Sequence, residues 1–161
     1  MLKMIQCDKF IENGAIRPPI VFNRGLNTIL GTNSGANSIG KSTVLMLIDF
    51  VFGGTDYIRK SVDIHSNIGP HMINVVFEFE DGVYYFSRAT DRPSFVNVCN
   101  QQFQVEKVIT NEAYTKMLSA KFNLALPDLT LRAAVSRFFR IHGRDKAATS
   151  KCCKRGDEGW H

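Results

Sequence analysis

Apolar residues along this chain follow two rhythms, and each predicts its own kind of element. Over Met72–Thr90, "MINVVFEFEDGVYYFSRAT", apolar and polar residues alternate on either side of Asp81-Gly82. Successive strand side chains point to opposite faces, and Asp-Gly suits the positive φ angles of a two-residue turn, so this stretch predicts a β-hairpin. "SFVNVCNQQFQV", Ser94–Val105, predicts a second. Lys41–Phe52 is apolar almost all the way round a helix, which predicts a helix buried on most sides and ended by Gly53-Gly54. Asp49 is its exception and reads as a capped or paired structural aspartate. Helical spacing returns in Tyr114, Met117, Leu118 and Phe122 within Asn111–Phe122. A further helix is expected from Asp128, as N-cap, to Arg140, with Leu131, Ala134, Val135, Phe138 and Phe139 on one face.

The first thirty residues read as strands. Met1–Phe10 is extended, and turn residues gather at Asn13-Gly14 and Pro18-Pro19. Ile20–Phe22 and Leu26–Leu30 then predict a hairpin through Asn23-Arg24-Gly25. Its second strand runs into "GTNSGANSIGKST", thirteen small or polar residues between two apolar stretches. A simple turn needs far fewer residues, so this loop is expected to hold something.

Composition narrows the picture. A chain of 161 residues with 44% hydrophobic content can bury one ordinary core, which predicts one unit over residues 1–144. Residues 142–161 contain one large apolar side chain, Trp160, and the stretch 145–161 is expected to be a disordered basic tail. The net charge of +5 is concentrated from Arg132 onward, where eight Lys or Arg face three acids. Such a tail fits either a solvated end or contact with DNA. Cys7, Cys99, Cys152 and Cys153 show neither zinc-ligand nor disulfide-framework spacing, which predicts reduced thiols and a cytoplasmic protein. The start "MLKMIQCDKF" has no apolar secretory core, and Val44–Phe52 is too short to span a bilayer. His65, His71, His142 and His161 are scattered and read as surface or structural residues.

The loop carries the chemistry. Gly35-Ala36-Asn37-Ser38-Ile39-Gly40-Lys41-Ser42 satisfies G-x-x-x-x-G-K-[ST], follows a predicted strand and opens a predicted helix. In such a loop glycines let successive backbone N–H groups converge on phosphate oxygens, and the helix N-terminus adds the positive end of its dipole. Lys41 would reach the β- and γ-phosphates, and the Ser42 hydroxyl would join a Mg²⁺ shell. Four specified positions coincide by chance in roughly one chain in a hundred or fewer of this length.

With Thr43 the loop resembles the G-x-N-G-x-G-K-S-T loop of ABC-type ATPase heads, specifically the amino-terminal half-heads of structural-maintenance-of-chromosomes (SMC) and double-strand-break-repair coiled-coil ATPases. "FNRGLNTILG" is similar to the F-x-x-G-x-N-x-I-x-G strand leading into that loop, and "VVFEFEDGVYYFSRAT" to the antiparallel sheet that follows the first helix. The resemblance covers residues 1–144 and is strongest over Phe22–Gly54. It implies an α/β P-loop NTPase half-domain of mixed sheet type, an ABC/SMC-like N-terminal lobe with an added antiparallel sheet and two C-terminal helices. It also implies ATP and Mg²⁺ as ligands, bound by Gly35, Ala36, Asn37, Ser38, Ile39, Gly40, Lys41, Ser42 and Thr43, with Ser42 on the metal. Ser38 stands where the family has glycine, and Gly31-Thr32-Asn33-Ser34 look inserted, either lengthening the cradle or covering the nucleotide.

No signature motif of L-S-G-G-Q type, Walker B strand or switch histidine follows Gly54 convincingly, so no catalytic residue is assigned. "VVFEFED" imitates Walker B, but its alternation and Gly82 make it a hairpin arm. Neither Gln101, Gln102 and Gln104 nor "SRFFRIHGR" matches the family's Mg²⁺-contacting glutamine loop. The expectation is an ATP·Mg²⁺-binding lobe that hydrolyses ATP only with a missing C-terminal half-head, a partner chain or a second copy. The break in composition after Gly143 predicts a truncated product or a natural half-head. Two alternatives stay open: a small self-sufficient P-loop kinase or GTPase, and a non-catalytic DNA- or partner-docking module with a relic loop. Arg59 and Lys60 would add charge to the latter.

Overall fold

The computed structural model describes residues 1–12, 14–29, 38–60, 66–124 and 131–138. In chain order, the strands are β1 (Leu2–Gln6), β2 (Ile11–Glu12), β3 (Ala15–Ile16), β4 (Ile20–Val21), β5 (Met72–Phe79), β6 (Gly82–Ala89), β7 (Phe95–Cys99) and β8 (Val105–Thr110). The helices are α1 (Ser38–Val51), α2 (Asp56–Lys60), α3 (Asn111–Lys121) and α4 (Leu131–Phe138). Six strands form one sheet in the order β4-β1-β5-β6-β7-β8, and β2 pairs with β3 alone.

Both period-two stretches are hairpins. Phe79 faces Gly82 across a Glu80-Asp81 turn, one residue before the expected Asp81-Gly82, so Gly82, at φ +143°, opens β6 and the ladder runs out to Met72 opposite Ala89. β7 and β8 form the second, from Phe95 opposite Thr110 to Cys99 opposite Val105, with one extra residue on β8. Alternation sends Ile73, Val75, Phe77, Phe86 and Val96 to one face, where they join Leu47, Ile48, Phe50 and Val51 of α1 and Tyr114 and Leu118 of α3 in a single core. Phe52 and Phe77 meet edge-on at 5.3 Å, and Phe86 meets Tyr114 at 5.1 Å. The geometry is a two-layer α/β arrangement with α1 and α3 on one side of the sheet.

All pairings among the described strands are antiparallel. A mixed sheet was expected because Leu26–Leu30 read as a strand; residues 26–29 instead lie outside the ladder. Asn27 is the reason. Its side chain accepts from the Asn23 N–H at 2.8 Å and donates to the Asn23 and Gly25 carbonyls at 2.8 and 3.2 Å. This bracket tightens the turn after β4 and throws the chain away from the sheet, leaving Leu26 93% exposed.

α1 begins at Ser38, three residues before the expected Lys41, and its C-terminal half is buried. Gly53, at φ +97°, ends it. The Gly54 N–H returns to the Asp49 carbonyl at 2.9 Å and the Gly53 N–H to that of Phe50 at 3.0 Å, the bond pattern of a Schellman cap. A Cβ on Gly54 would overlap the Asp49 carboxylate, so a side chain there would have to push that carboxylate out of its bonds to Arg132.

Arg88 completes that end. It points inward from β6, is fully buried, and donates to the carbonyls of Phe50, Gly54 (3.1 Å) and Pro93 (2.7 Å), with its guanidinium 4.1 Å above the Phe50 ring. Burial pushes the guanidinium down to about 10, which leaves it charged at neutral pH. The Tyr114 hydroxyl donates to the Val51 carbonyl at 2.7 Å and the Asn111 amide to that of Gly53 at 3.0 Å. The negative end of the α1 dipole thus receives a cation from another element, because the last turn of α1 carries none of its own.

Expected α3 matches the observed helix, capped by Thr110, whose hydroxyl accepts from the Ala113 N–H at 3.2 Å. α4 places Leu131 and Ala134 in the core as its spacing predicts. The proposed N-cap Asp128, residues 139–144 and the tail 145–161 lie outside the described residues. Arg88→Met would remove a donor from three carbonyls, of which Phe50 keeps the Gly53 N–H, and is expected to lower stability by about 3 kcal/mol or more. Tyr114→Phe, which loses one bond, is expected to cost about 1 kcal/mol. Urea unfolding midpoints of the two variants check both values.

Candidate functional site

Three of the nine nucleotide-binding positions, Gly35, Ala36 and Asn37, lie outside the described residues. The backbone of Ser38, Ile39, Gly40 and Lys41 forms the first turn of α1, and Ser42 and Thr43 follow with half-buried side chains. The helix opens at Ser38, two residues before the G-K-S-T run of Gly40–Thr43, so its first turn falls among the motif's own residues.

Charge at this end is unusual. The first turn has no acidic residue, while Lys41 adds a cation to the positive end of the helix dipole. That combination is locally unfavourable by roughly 0.3–1 kcal/mol, and an anion would reverse its sign. The other end of α1 is saturated by Arg88, Tyr114 and Asn111. One helix therefore has a satisfied C-terminus and an N-terminal turn with a lysine and no acid.

Asp49 lies between them and is structural, as its isolation in an apolar helix implies. Arg132 of α4 grips it with two bonds, Nε to Oδ1 at 2.7 Å and Nη2 to Oδ2 at 3.3 Å. The same guanidinium reaches Asp56 of α2 at 2.9 Å, and Lys60 joins Asp56 at 2.7 Å. Arg132 was counted with the basic tail; its charge is in fact spent inside this network, because Asp49 and Asp56 together present two carboxylates to one planar fork. Lys60 is likewise paired, while Arg59 is exposed on α2.

The other sequence candidates have structural roles. Asp81 sits in the β5–β6 turn, accepts from the Tyr84 hydroxyl at 2.8 Å and pairs with Lys121; these bonds hold its carboxyl below the usual range. It therefore belongs to a hairpin and does not end a Walker B strand. Gln102 and Gln104 form the β7–β8 turn, where the Asn100 side chain accepts both of their N–H groups at 3.0 Å. His71 is buried, with Nδ1 2.8 Å from the Gly69 carbonyl and Nε2 2.8 Å from the Tyr57 hydroxyl. The carbonyl can only accept, so in the neutral ring Nδ1 donates and Nε2 accepts from Tyr57. His65, His142 and His161 lie outside the described residues. Cys7 and Cys99 are unpaired and buried, and burial raises both thiols.

A groove of about 1230 Å³ runs between the Asn23–Asn27 turn, the β5–β6 turn and α4, over a floor that includes Phe22, Phe52, Phe79 and Phe122. Ser42 and Thr43 are not among its described lining residues, and its apolar floor does not suit a triphosphate. Among the described residues no three His, Cys, Asp or Glu gather as a metal site, and no helix is long and apolar enough to cross a membrane. Comparison of the chain with family models, with curated proteins and with solved structures finds no match.

The Asp49–Arg132 pair is tested by a double-mutant cycle. Asp49→Asn, Arg132→Gln and the double variant are expected to give a coupling of about 0.5–1 kcal/mol, modest because the Arg132 side chain is half exposed. Lys60 and then Arg132 hold the Asp56 carboxyl below its ordinary value of 3.8. A depressed carboxylate stabilises the fold fully above that ordinary value and loses the contribution as pH falls through its lower folded value. Arg132→Gln should therefore unfold at a less acidic pH than the parent, read by circular dichroism in an acid titration.

Proposed function

We propose that this chain is the ATP·Mg²⁺-binding N-terminal lobe of an SMC-like ABC ATPase acting in the cytoplasm. The observation that carries the reading is the coincidence of a G-x-x-x-x-G-K-S-T sequence with the start of α1, at a helix end that has a lysine and no acid. A bound triphosphate would supply the missing negative charge, take N–H groups of the first turn, and bring Mg²⁺ to the Ser42 hydroxyl.

A lobe of this kind holds nucleotide but lacks the carboxylate that positions the attacking water. Phosphoryl transfer relies on positioning and charge stabilisation, so hydrolysis waits for a complementary half-head, a partner chain or a second copy. The antiparallel pairing of all described strands favours this reading over a self-sufficient kinase or GTPase, whose central strands would be parallel. The engagement of Arg132 and Lys60 by carboxylates removes two cations from the charge that a DNA-docking reading would use.

Titration of labelled ATP with Mg²⁺ is the test. The parent chain should bind, and Lys41→Ala should weaken binding by roughly tenfold or more, about 1.4 kcal/mol. Phosphate release should stay at the level of the protein-free control. Equal affinity in the two proteins, or turnover that Lys41→Ala abolishes, would show the reading to be wrong.

A further inference from the structure

The sheet has two edges, and they are not alike. At one end β4 pairs only two residues with β1, too few to template another strand. At the other, β8 offers six residues, five of them exposed, with Val105 52% and Val108 54% open to solvent. A long edge strand presents a row of unpaired N–H and C=O groups, and natural proteins usually blunt it with charge or a bulge. β8 carries both devices, and their placement gives them a second meaning.

The bulge comes first. Val105 lies opposite Cys99 and Val108 opposite Asn97, two residues apart on β7, so Cys99 and Asn97 share a face of the sheet. Their partners Val105 and Val108 share that face too, although they are three apart on β8, because Glu106 is an extra residue in the ladder. In an unbulged strand, residues three apart point to opposite sides.

The charges come second. Glu106 and Lys107 are adjacent, exposed and of opposite sign, and neither makes an ion pair among the described residues. A two-fold axis perpendicular to the sheet and passing between them would set Glu106 of each copy opposite Lys107 of the other. The same axis sets Val105 opposite Val108, and the bulge has already placed those two on one face. Shifting the axis to pass through Lys107 would oppose two lysines, which disfavours that register.

The geometry points to β8 as a self-complementary edge that pairs antiparallel with β8 of a second copy of this chain, Glu106 against Lys107 and Val105 against Val108. The two six-stranded sheets then run on as one, and both edge valines of each copy are covered. The contact is isologous, so it closes at two copies, and the joined sheet ends on the short β4 strands. It does not involve the loop before α1 and does not rest on the nucleotide reading.

Sedimentation of the full chain without nucleotide tests it. The parent should show a concentration-dependent dimer. Glu106→Lys opposes lysines twice across the axis and Lys107→Glu opposes glutamates twice, so each alone should weaken the dimer by roughly tenfold or more. Mixing the two single variants should restore association as a heterodimer, and the double variant Glu106→Lys/Lys107→Glu should dimerise like the parent. Restoration on mixing also shows that each variant is folded. A parent that stays monomeric to about 200 µM, single variants that dimerise unchanged, or a mixture that fails to associate would each overturn the proposal.

Discussion

The structure depends on a single buried cation at the end of one helix. Arg88 leaves the middle of the sheet, crosses the core and closes on the carbonyls of Phe50, Gly54 and Pro93. A buried guanidinium is costly unless its donors are used, and here Nη1 and Nη2 reach three carbonyls and the Phe50 ring lies beneath, while Nε has no hydrogen-bond partner among the described residues. In return it fixes four things to one point: strand β6, the last turn of α1, the Gly53-Gly54 exit and the loop before β7. Tyr114 and Asn111 add α3 to the same junction. The helix layer is therefore held on the sheet by directed bonds as well as by the aromatic core, which by itself would fix depth better than orientation.

That anchoring gives α1 a direction. At its C-terminal end every unpaired carbonyl of the last turn that other elements reach has a donor, and the Asp49–Arg132–Asp56 network ties the next elements, α2 and α4, to the same place. At its N-terminal end Lys41 meets a positive dipole with no acid in the first turn. Local rules agree with one another through most of this chain. They conflict at Lys41, and such conflicts gather at places where a protein holds something.

Much of the fold could be read from local pattern, and the exceptions share a cause. Period-two alternation defines the central hairpin, with its turn one residue before Asp81-Gly82, Gly53-Gly54 marks the end of α1, and the isolation of Asp49 in an apolar helix implies its structural role. Leu26–Leu30 has strand composition, but Asn27 closes a side-chain bracket that strand propensity does not register. Arg132 looked like part of a basic tail because charge was counted along the chain, whereas its carboxylate partners lie far away in sequence. Arg88 was missed altogether. The signal was there: it continues the inward phase of Tyr84 and Phe86, where a charged residue requires a buried partner. Of the candidate site, the helix and the identity of its residues could be read, though α1 starts three residues before the expected Lys41, because strand, loop and helix boundaries depend on dihedral angles that residue types only permit.

The length of α1 decides how these features relate. Fourteen residues rise about 21 Å, so the first turn and the Arg88 junction are separated by most of the thickness of a small domain. A direct electrostatic effect of Arg88 on a unit charge at the other end is then under about 1 kcal/mol at an effective dielectric of about 20. What the junction can supply is rigidity: a helix pinned at one end by several bonds points its free end in one direction. Loss of Arg88 would thus act on whether α1 is seated, and loss of Lys41 on the nucleotide binding proposed for a seated α1. The two ends of one helix answer for different things, stability at one and charge at the other, because the rod between them is long enough to keep their chemistry apart and stiff enough to keep their geometry together.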